Sequence, residues 1–151
     1  MLTKILRIWV HAQLETVWSA LMDSIGNPQK YTQGLEAFRI LEEAEGAIFR
    51  EMKIQDILYK EKISVNSVSK EICRDLLDHP TYSGRIIIKA VPSSVQNPMA
   101  PVNLQFFLEL ESKLSHTDRT TKEKEENRME SILEEEQRRL KGMSEELEKT
   151  A

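Results

Sequence analysis

The chain has 151 residues and a net charge of -4, with 30% charged and 40% hydrophobic residues. That is enough for one domain with a real core, expected to span residues 1–151, and too little for two ordinary ones. The acidic balance, with basic residues scattered among acidic ones, argues against nucleic acid as a partner. Cys73 is the single cysteine, which excludes an internal disulfide and a cysteine-based zinc site and fits a reducing compartment.

Residues 3–12 alternate as a strand, with Leu6, Ile8, Val10 and Ala12 on the inward side and Ile5, Arg7, Trp9 and His11 outward. Arg7 and His11 make this segment too short for a signal peptide core or a spanning helix, so a cytoplasmic protein with no stable membrane insertion is expected. From Leu14 to Ile25 the spacing becomes helical, with Leu14, Val17, Trp18, Leu21 and Ile25 on one stripe. Gly26 ends that helix. Asn27 and Pro28 then suit the cap and first position of a second short helix, running to Tyr31 before Gly34 breaks the chain.

Residues 35–43 read as the second strand. A three-residue loop at Glu45-Gly46 sets Phe38 and Ile40 inward, opposite Ile54 and Met52. A two-residue loop selects Ala37, Arg39 and Leu41 instead, and the first choice makes the better core. Residues 48–65 carry a hairpin turning at Gln55-Asp56, which places Ile54 opposite Ile57, Met52 opposite Tyr59, Arg50 opposite Glu61 and Ile48 opposite Ile63. One arginine and one glutamate thus face inward among apolar neighbours. The opposite register would bury Glu51, Lys53, Lys60 and Lys62, which is too much charge for an interior.

Residues 68–77, 83–91 and 102–112 supply three more strands, the last with Val102, Leu104, Phe106, Leu108 and Leu110 on one face. Pro92, Pro98 and Pro101 make residues 93–101 a loop. Residues 122–149, within a C-terminal helical region of 119–151, form a long amphipathic helix with Met129, Ile132, Leu133, Leu140, Met143 and Leu147 near one stripe. Glu136 and Gln137 interrupt that stripe. It makes a poor coiled-coil seam, so the helix is expected to close a curved sheet, with its tip fraying beyond Glu145.

The order of elements predicts an α+β architecture in which a seven-stranded curved antiparallel sheet wraps a long C-terminal helix. Two short helices lie between the first two strands, and a hollow remains beneath the long helix. The run Gly26-Asn27-Pro28, Tyr31, Gly34 and Phe38-Arg39-Ile40-Leu41-Glu42-Glu43, followed by Gly46 and Phe49-Arg50-Glu51-Met52, resembles the pattern of the AtaL-like proteins. These are a branch of the START, or Bet v 1-like (SRPBCC), superfamily. Glu61-Lys62-Ile63 and Gly84 are similar to further family positions. The wholly aliphatic Ile86-Ile87-Ile88 departs from it, because family members usually carry a polar residue there. The resemblance covers residues 2–114 and implies a helix-grip fold with a cavity for a hydrophobic ligand.

The candidate ligand-binding residues are Arg50, Glu61, Tyr59, Trp18, Phe38, Met52, Ile88 and Phe106. Arg50 is suited to grip a carboxylate or phenolate with Glu61 steadying the guanidinium; a purely structural ion pair is the competing reading. No catalytic residue is assigned. In an enzyme of the cyclase or isomerase type, Glu61 or Tyr59 would act in the same pocket, Glu61 as a base whose shift the adjacent arginine opposes. A third reading is a protein interaction module. His11, His79 and His116 follow no metal-ligand spacing and no phosphate loop occurs, so no metal and no cofactor are expected; His79-Pro80 reads as a turn. The expected partner is a small hydrophobic or aromatic molecule.

Overall fold

A computed structural model describes residues 2–114 and 118–150; His116 lies outside them. The strands are β1 (Leu2–Val10), β2 (Leu35–Ala44), β3 (Ala47–Ile54), β4 (Ile57–Asn66), β5 (Glu71–Leu77), β6 (Tyr82–Pro92) and β7 (Val102–Ser112). Two helices, α1 (Leu14–Gly26) and α2 (Arg119–Thr150), and a single 3-10 turn at Pro28–Lys30 complete the elements among the described residues. All strands pair antiparallel in the order β1-β7-β6-β5-β4-β3-β2. Consecutive β1 and β2 therefore occupy opposite edges, and α1 with the 3-10 turn carries the chain between them. No helix among the described residues is long and apolar enough to cross a membrane.

Period-two alternation decides what each strand buries. Leu104, Phe106, Leu108 and Leu110 of β7 are all sealed on the inner face, as are Ile86 and Ile88 of β6 and Ile72 of β5. The expected α1 stripe also holds, with Val17, Trp18, Leu21 and Ile25 buried. The β3–β4 hairpin has the predicted register throughout, Arg50 opposite Glu61 and Met52 opposite Tyr59. Its two-residue turn places Gln55 and Asp56 at φ 49° and 68°, the left-handed pair that matches the twist of a tight hairpin. Gly84 has φ +121°, and a Cβ there would lie 2.1 Å from the Glu109 carbonyl oxygen, so only glycine lets β6 and β7 approach at that point.

Several local expectations are corrected. The second short helix is only the 3-10 turn, and Asn27 makes no side-chain cap; its amide donates to Asp23 Oδ1 at 2.8 Å instead. The β2–β3 connection has two residues, since Ala44 pairs with Ala47, and the irregularity at Leu41 sets Phe38 and Ile40 opposite Met52 and Arg50 instead of Ile54 and Met52; Phe38 is half-buried, whereas Ile40, expected inward, is 38% exposed. A bulge thus reverses the parity that the loop alone would set. The fifth strand starts at Glu71 because Asn66 Oδ1 accepts the Val68 and Ser69 amides and curls the chain into a turn.

The C-terminal tip, expected to fray beyond Glu145, is helical to Thr150 and bonded to the rest of the fold. Glu148 Oε2 accepts from Thr16 Oγ1 at 2.6 Å and from the Gln13 amide at 3.3 Å, which sets a carboxylate at the amino end of α1 where the helix dipole favours it. Glu145 accepts the His11 amide at 2.9 Å. The two polar residues that interrupt the α2 stripe are buried: Gln137 donates to the Leu6 and Leu104 carbonyls, both at 2.9 Å, and Glu136 faces β5.

Candidate functional site

The inner face of the sheet is apolar except for a line of charge. Arg50 on β3, Glu61 on β4, Arg74 on β5 and Glu136 on α2 are all at most 5% exposed. Arg50 Nε donates to Glu61 Oε1 at 2.8 Å, and its Nη2 bonds the same oxygen. Arg74 Nε donates to Glu61 Oε2 at 3.1 Å, and Arg74 Nη1 reaches both Glu136 oxygens at 3.0 Å. Arg50 Nη1 donates to the Ser24 and Ile25 carbonyls at 3.0 and 2.9 Å, closing the carboxyl end of α1, where carbonyls lack partners within the helix. Two positive and two negative groups alternate, so the buried chain is neutral and joins α1, three strands and α2.

Burial raises the carboxyl pKa of Glu61, but the guanidiniums of Arg50 and Arg74 outweigh it and hold Glu61 below the ordinary range. Both oxygens are already taken. Glu61 is therefore an ionised acceptor between two arginines, a poor candidate for the base that an isomerase would need.

Beside this chain lies a cleft between α2 and strands β3 to β6, walled by Ile54, Ile57, Leu76, Ile86, Met129 and Ile132. Tyr59, Arg74, His79 and Tyr82 put polar groups into the same lining. The imidazole of His79 sits between the two tyrosines, with ring centroids 5.0 Å from Tyr59 and 5.8 Å from Tyr82. Its Nδ1 accepts the backbone amides of Thr81 and Tyr82, both at 3.1 Å. Burial, then the charges of Lys113 and Arg128, lower its pKa to about 4 against an opposing pull from Glu61. His79 is neutral at pH 7 and its remaining proton is on Nε2. Burial first and Glu61 second raise the Tyr59 pKa; burial, with Glu126 and Glu125, raises that of Tyr82 to about 12. Both phenols keep their protons.

The expected open hollow containing Arg50 is corrected. Free space in the cleft amounts to about 30 Å³, which suits a water molecule and is far below the roughly 300 Å³ of ordinary ligand sites. Met129, Ile132 and Leu133 of α2 descend into the curve of the sheet and fill it. A larger concavity, about 380 Å³, opens at the far end of the hairpin beside Ile48, Ile63 and Val65, but its polar side chains are the carboxylates of Glu43 and Glu45 alone.

Of the eight candidate residues, Tyr59 lines the cleft. Arg50 and Glu61 lie behind it in the ion chain. Met52 sits opposite Tyr59 on the sheet, and Phe38 is half-buried opposite Met52. Ile88 and Phe106 face one another in the packed β6–β7 core. Trp18 is buried on α1 with the Lys70 ammonium 5.2 Å from its ring centroid. Arg74, His79, Tyr82 and Glu136 were not anticipated as site residues. Arg74 carries the signal that marked Arg50, a charge alternating with Ile72 and Leu76, and Glu136 falls in helical register between Leu133 and Leu140.

No protein-family model and no curated protein matches the sequence. Solved structures do match in fold. The Zhui aromatase/cyclase from Streptomyces sp. R1128 superposes with a TM-score of 0.73 at 12% identity, covering 98% of this chain and 93% of that one. A START superfamily protein from Mycobacterium smegmatis gives 0.69 at 20% identity, covering 96% and 98%. A protein from Thermus thermophilus gives 0.79 at 9% identity, covering 95% and 97%. The chain therefore has the helix-grip fold of START and Bet v 1-like proteins, a curved seven-stranded sheet around a long C-terminal helix. At these identities the likeness extends to the fold alone.

Proposed function

We propose that this protein binds a small, mainly apolar molecule in the cleft between α2 and strands β3 to β6, without transforming it. One observation carries the reading. Tyr59 Oη, His79 Nε2, Tyr82 Oη and Arg74 Nη2 have no hydrogen-bond partner among the described residues, and none is sealed, because the only sealed side-chain polar atom without a partner there is Asn103 Oδ1. Polar groups left open in a recess whose walls are mostly apolar side chains are what a binding site needs for orientation. The helix-grip fold supports the reading, and the residues running from Gly26 to Ile63 support placing the chain with the AtaL-like branch. The free thiol of Cys73 supports a cytoplasmic setting.

A ligand must make room for itself. Met129 is unbranched and adapts its shape readily, and the mouth is held by Arg128, which donates to the Gln55 carbonyl at 2.7 Å and to its side-chain oxygen at 3.1 Å. These bonds are exposed and break at small cost. Binding therefore proceeds by withdrawal of the first half of α2 from the β3–β4 turn.

A cyclase or isomerase reading draws support from the resemblance to the Zhui aromatase/cyclase. It lacks a base: Glu61 is fully engaged and the open nitrogen of His79 already carries a proton. The interaction-module reading is weakened because the C-terminal end of α2 is tied to β1 and α1 rather than projecting.

The test is titration with the neutral fluorophore N-phenyl-1-naphthylamine. Saturable binding is expected, weakened at least about tenfold by Ile132→Trp, which fills the cleft, and reached several-fold faster in Arg128→Ala. Absence of saturable binding, or indifference to Ile132→Trp, defeats the proposal.

A further inference from the structure

From the hydrogen-bonding character of the cleft we infer that its ligand carries a neutral carbonyl oxygen, held by Tyr59, His79 and Tyr82. The inference rests on the cleft-binding reading above and adds the chemical class. It starts from the turn after β5. There His79 Nδ1 accepts the amides two and three residues ahead, at 3.1 Å each. Elsewhere in the chain Asn66 performs the same task, its Oδ1 accepting the Val68 and Ser69 amides at 3.1 and 3.0 Å. The turn itself thus needs only a short acceptor at the δ position, which asparagine supplies.

What the imidazole adds is its far edge. With Nδ1 consumed as an acceptor, Nε2 must carry the proton of the neutral ring and can only donate. It lies between two phenols that keep their own protons and have no partner among the described residues. Arg74 Nη2, also open, can only donate. Around the imidazole the open polar groups are donors or can act as donors; the carboxylate of Glu125 lines the same cleft, 4.0 Å from the guanidinium of Arg128. A ligand oxygen with two lone pairs satisfies two of them at once, whereas an ammonium, which can only donate, leaves His79 Nε2 and Arg74 Nη2 unmet and finds acceptors around the imidazole only in the two phenol oxygens.

Charge selects among oxygens. Arg50, Glu61, Arg74 and Glu136 cancel one another, and Arg128 is offset by Glu125 4.0 Å away, so the cleft offers no net positive charge to replace the hydration that a carboxylate would lose. A neutral ketone, quinone or amide oxygen on an apolar frame is the class that fits.

Four probes with one ring frame separate the possibilities: naphthalene, 2-acetylnaphthalene, 2-naphthoate and 2-(aminomethyl)naphthalene, each titrated against the full chain by calorimetry or NMR. The acetyl compound is expected to bind at least about tenfold more tightly than naphthalene, as two modest hydrogen bonds allow, and more tightly than the carboxylate and the ammonium. Tyr59→Phe and His79→Asn, the latter keeping the turn acceptor, should each shrink the acetyl preference several-fold while naphthalene binding stays within about twofold. Urea melts of both variants report that the fold is kept. Equal binding of naphthalene and its acetyl derivative, preference for the ammonium or the carboxylate, or an unchanged preference in both variants overturns the inference and leaves the cleft standing. If no probe binds, the cleft reading itself falls, and this inference with it.

Discussion

Arg50–Glu61 and Arg85–Glu109 are the same chemical pair in the same setting, an arginine directly across from a glutamate on neighbouring antiparallel strands. They differ in which face of the sheet they occupy. The inner pair has side chains 3% and 0% exposed, the outer 53% and 48%. On the inside, every donor must be met by protein, so the pair recruits Arg74, Glu136 and the last carbonyls of α1. On the outside, water completes the shell and Arg85 Nε simply rests 3.1 Å from Glu109 Oε2. The register is equivalent and the alternation is not: Arg50 and Glu61 share a face with Ile48, Met52, Tyr59 and Ile63, whereas Arg85 and Glu109 lie between Ile86, Leu108 and Leu110, which point the other way, and burial then separates a structural keystone from a solvated contact.

The strongest way to break that contrast is Glu61→Gln. It leaves Arg50 and Arg74 with a buried charge excess, and removing one member of a buried pair costs about 3–5 kcal/mol. Chemical denaturation should show a loss of that order; a loss below about 1 kcal/mol would mean that water reaches the chain and that the two faces differ little.

Acid provides a second, slightly smaller test, with the same sign from two groups. His79 has a folded pKa depressed to about 4 from 6.5, so below the unfolded value the unfolded chain takes up a proton that the native chain refuses. Stability should fall by roughly 3 kcal/mol as pH drops from 7 through that window. Glu61, held below its ordinary value of 4.5, adds a further loss below that pH, where the unfolded carboxyl takes up a proton that the folded carboxylate still refuses. Urea midpoints against pH should flatten in the upper window for His79→Asn and in the lower one for Glu61→Gln. An unchanged profile in both variants would remove these groups from the account.

The smallest effect belongs to the outer pair. Arg85→Ala should cost about 0.5 kcal/mol or less and lose even that in high salt. A loss rivalling that of Glu61→Gln in the same denaturation series would erase the distinction between the faces.

Much of the hairpin was legible before any fold was known. A two-residue connection at Gln55-Asp56 and the alternation around it allow one register, since the other buries lysines, and that register already sets Arg50 against Glu61. Arg74 was just as legible in kind and went unread because β5 gave it no facing acid; its partners come from β4 and α2. Glu136 looked like a flaw in an apolar stripe. A polar residue there is a flaw only until the opposite surface is known, and the opposite surface is Arg74. The bulge at Leu41 is of another type: loop length predicts parity, but an extra residue inside the strand undoes it without leaving a glycine or proline as a mark.

Alternation, helical spacing and turn chemistry are local, and they were sufficient to place the seven strands and the two main helices and to turn Arg50 and Glu61 inward; the helix-grip fold was what the family resemblance implied. Partners across long separations depend on how closely α2 settles into the sheet, a distance that no local pattern encodes. That distance decided that Arg74 and Glu136 complete a neutral chain and that the space left over is a narrow cleft beside His79 instead of an open chamber, while the seating of α1 on the sheet decided that Arg50 closes the end of that helix.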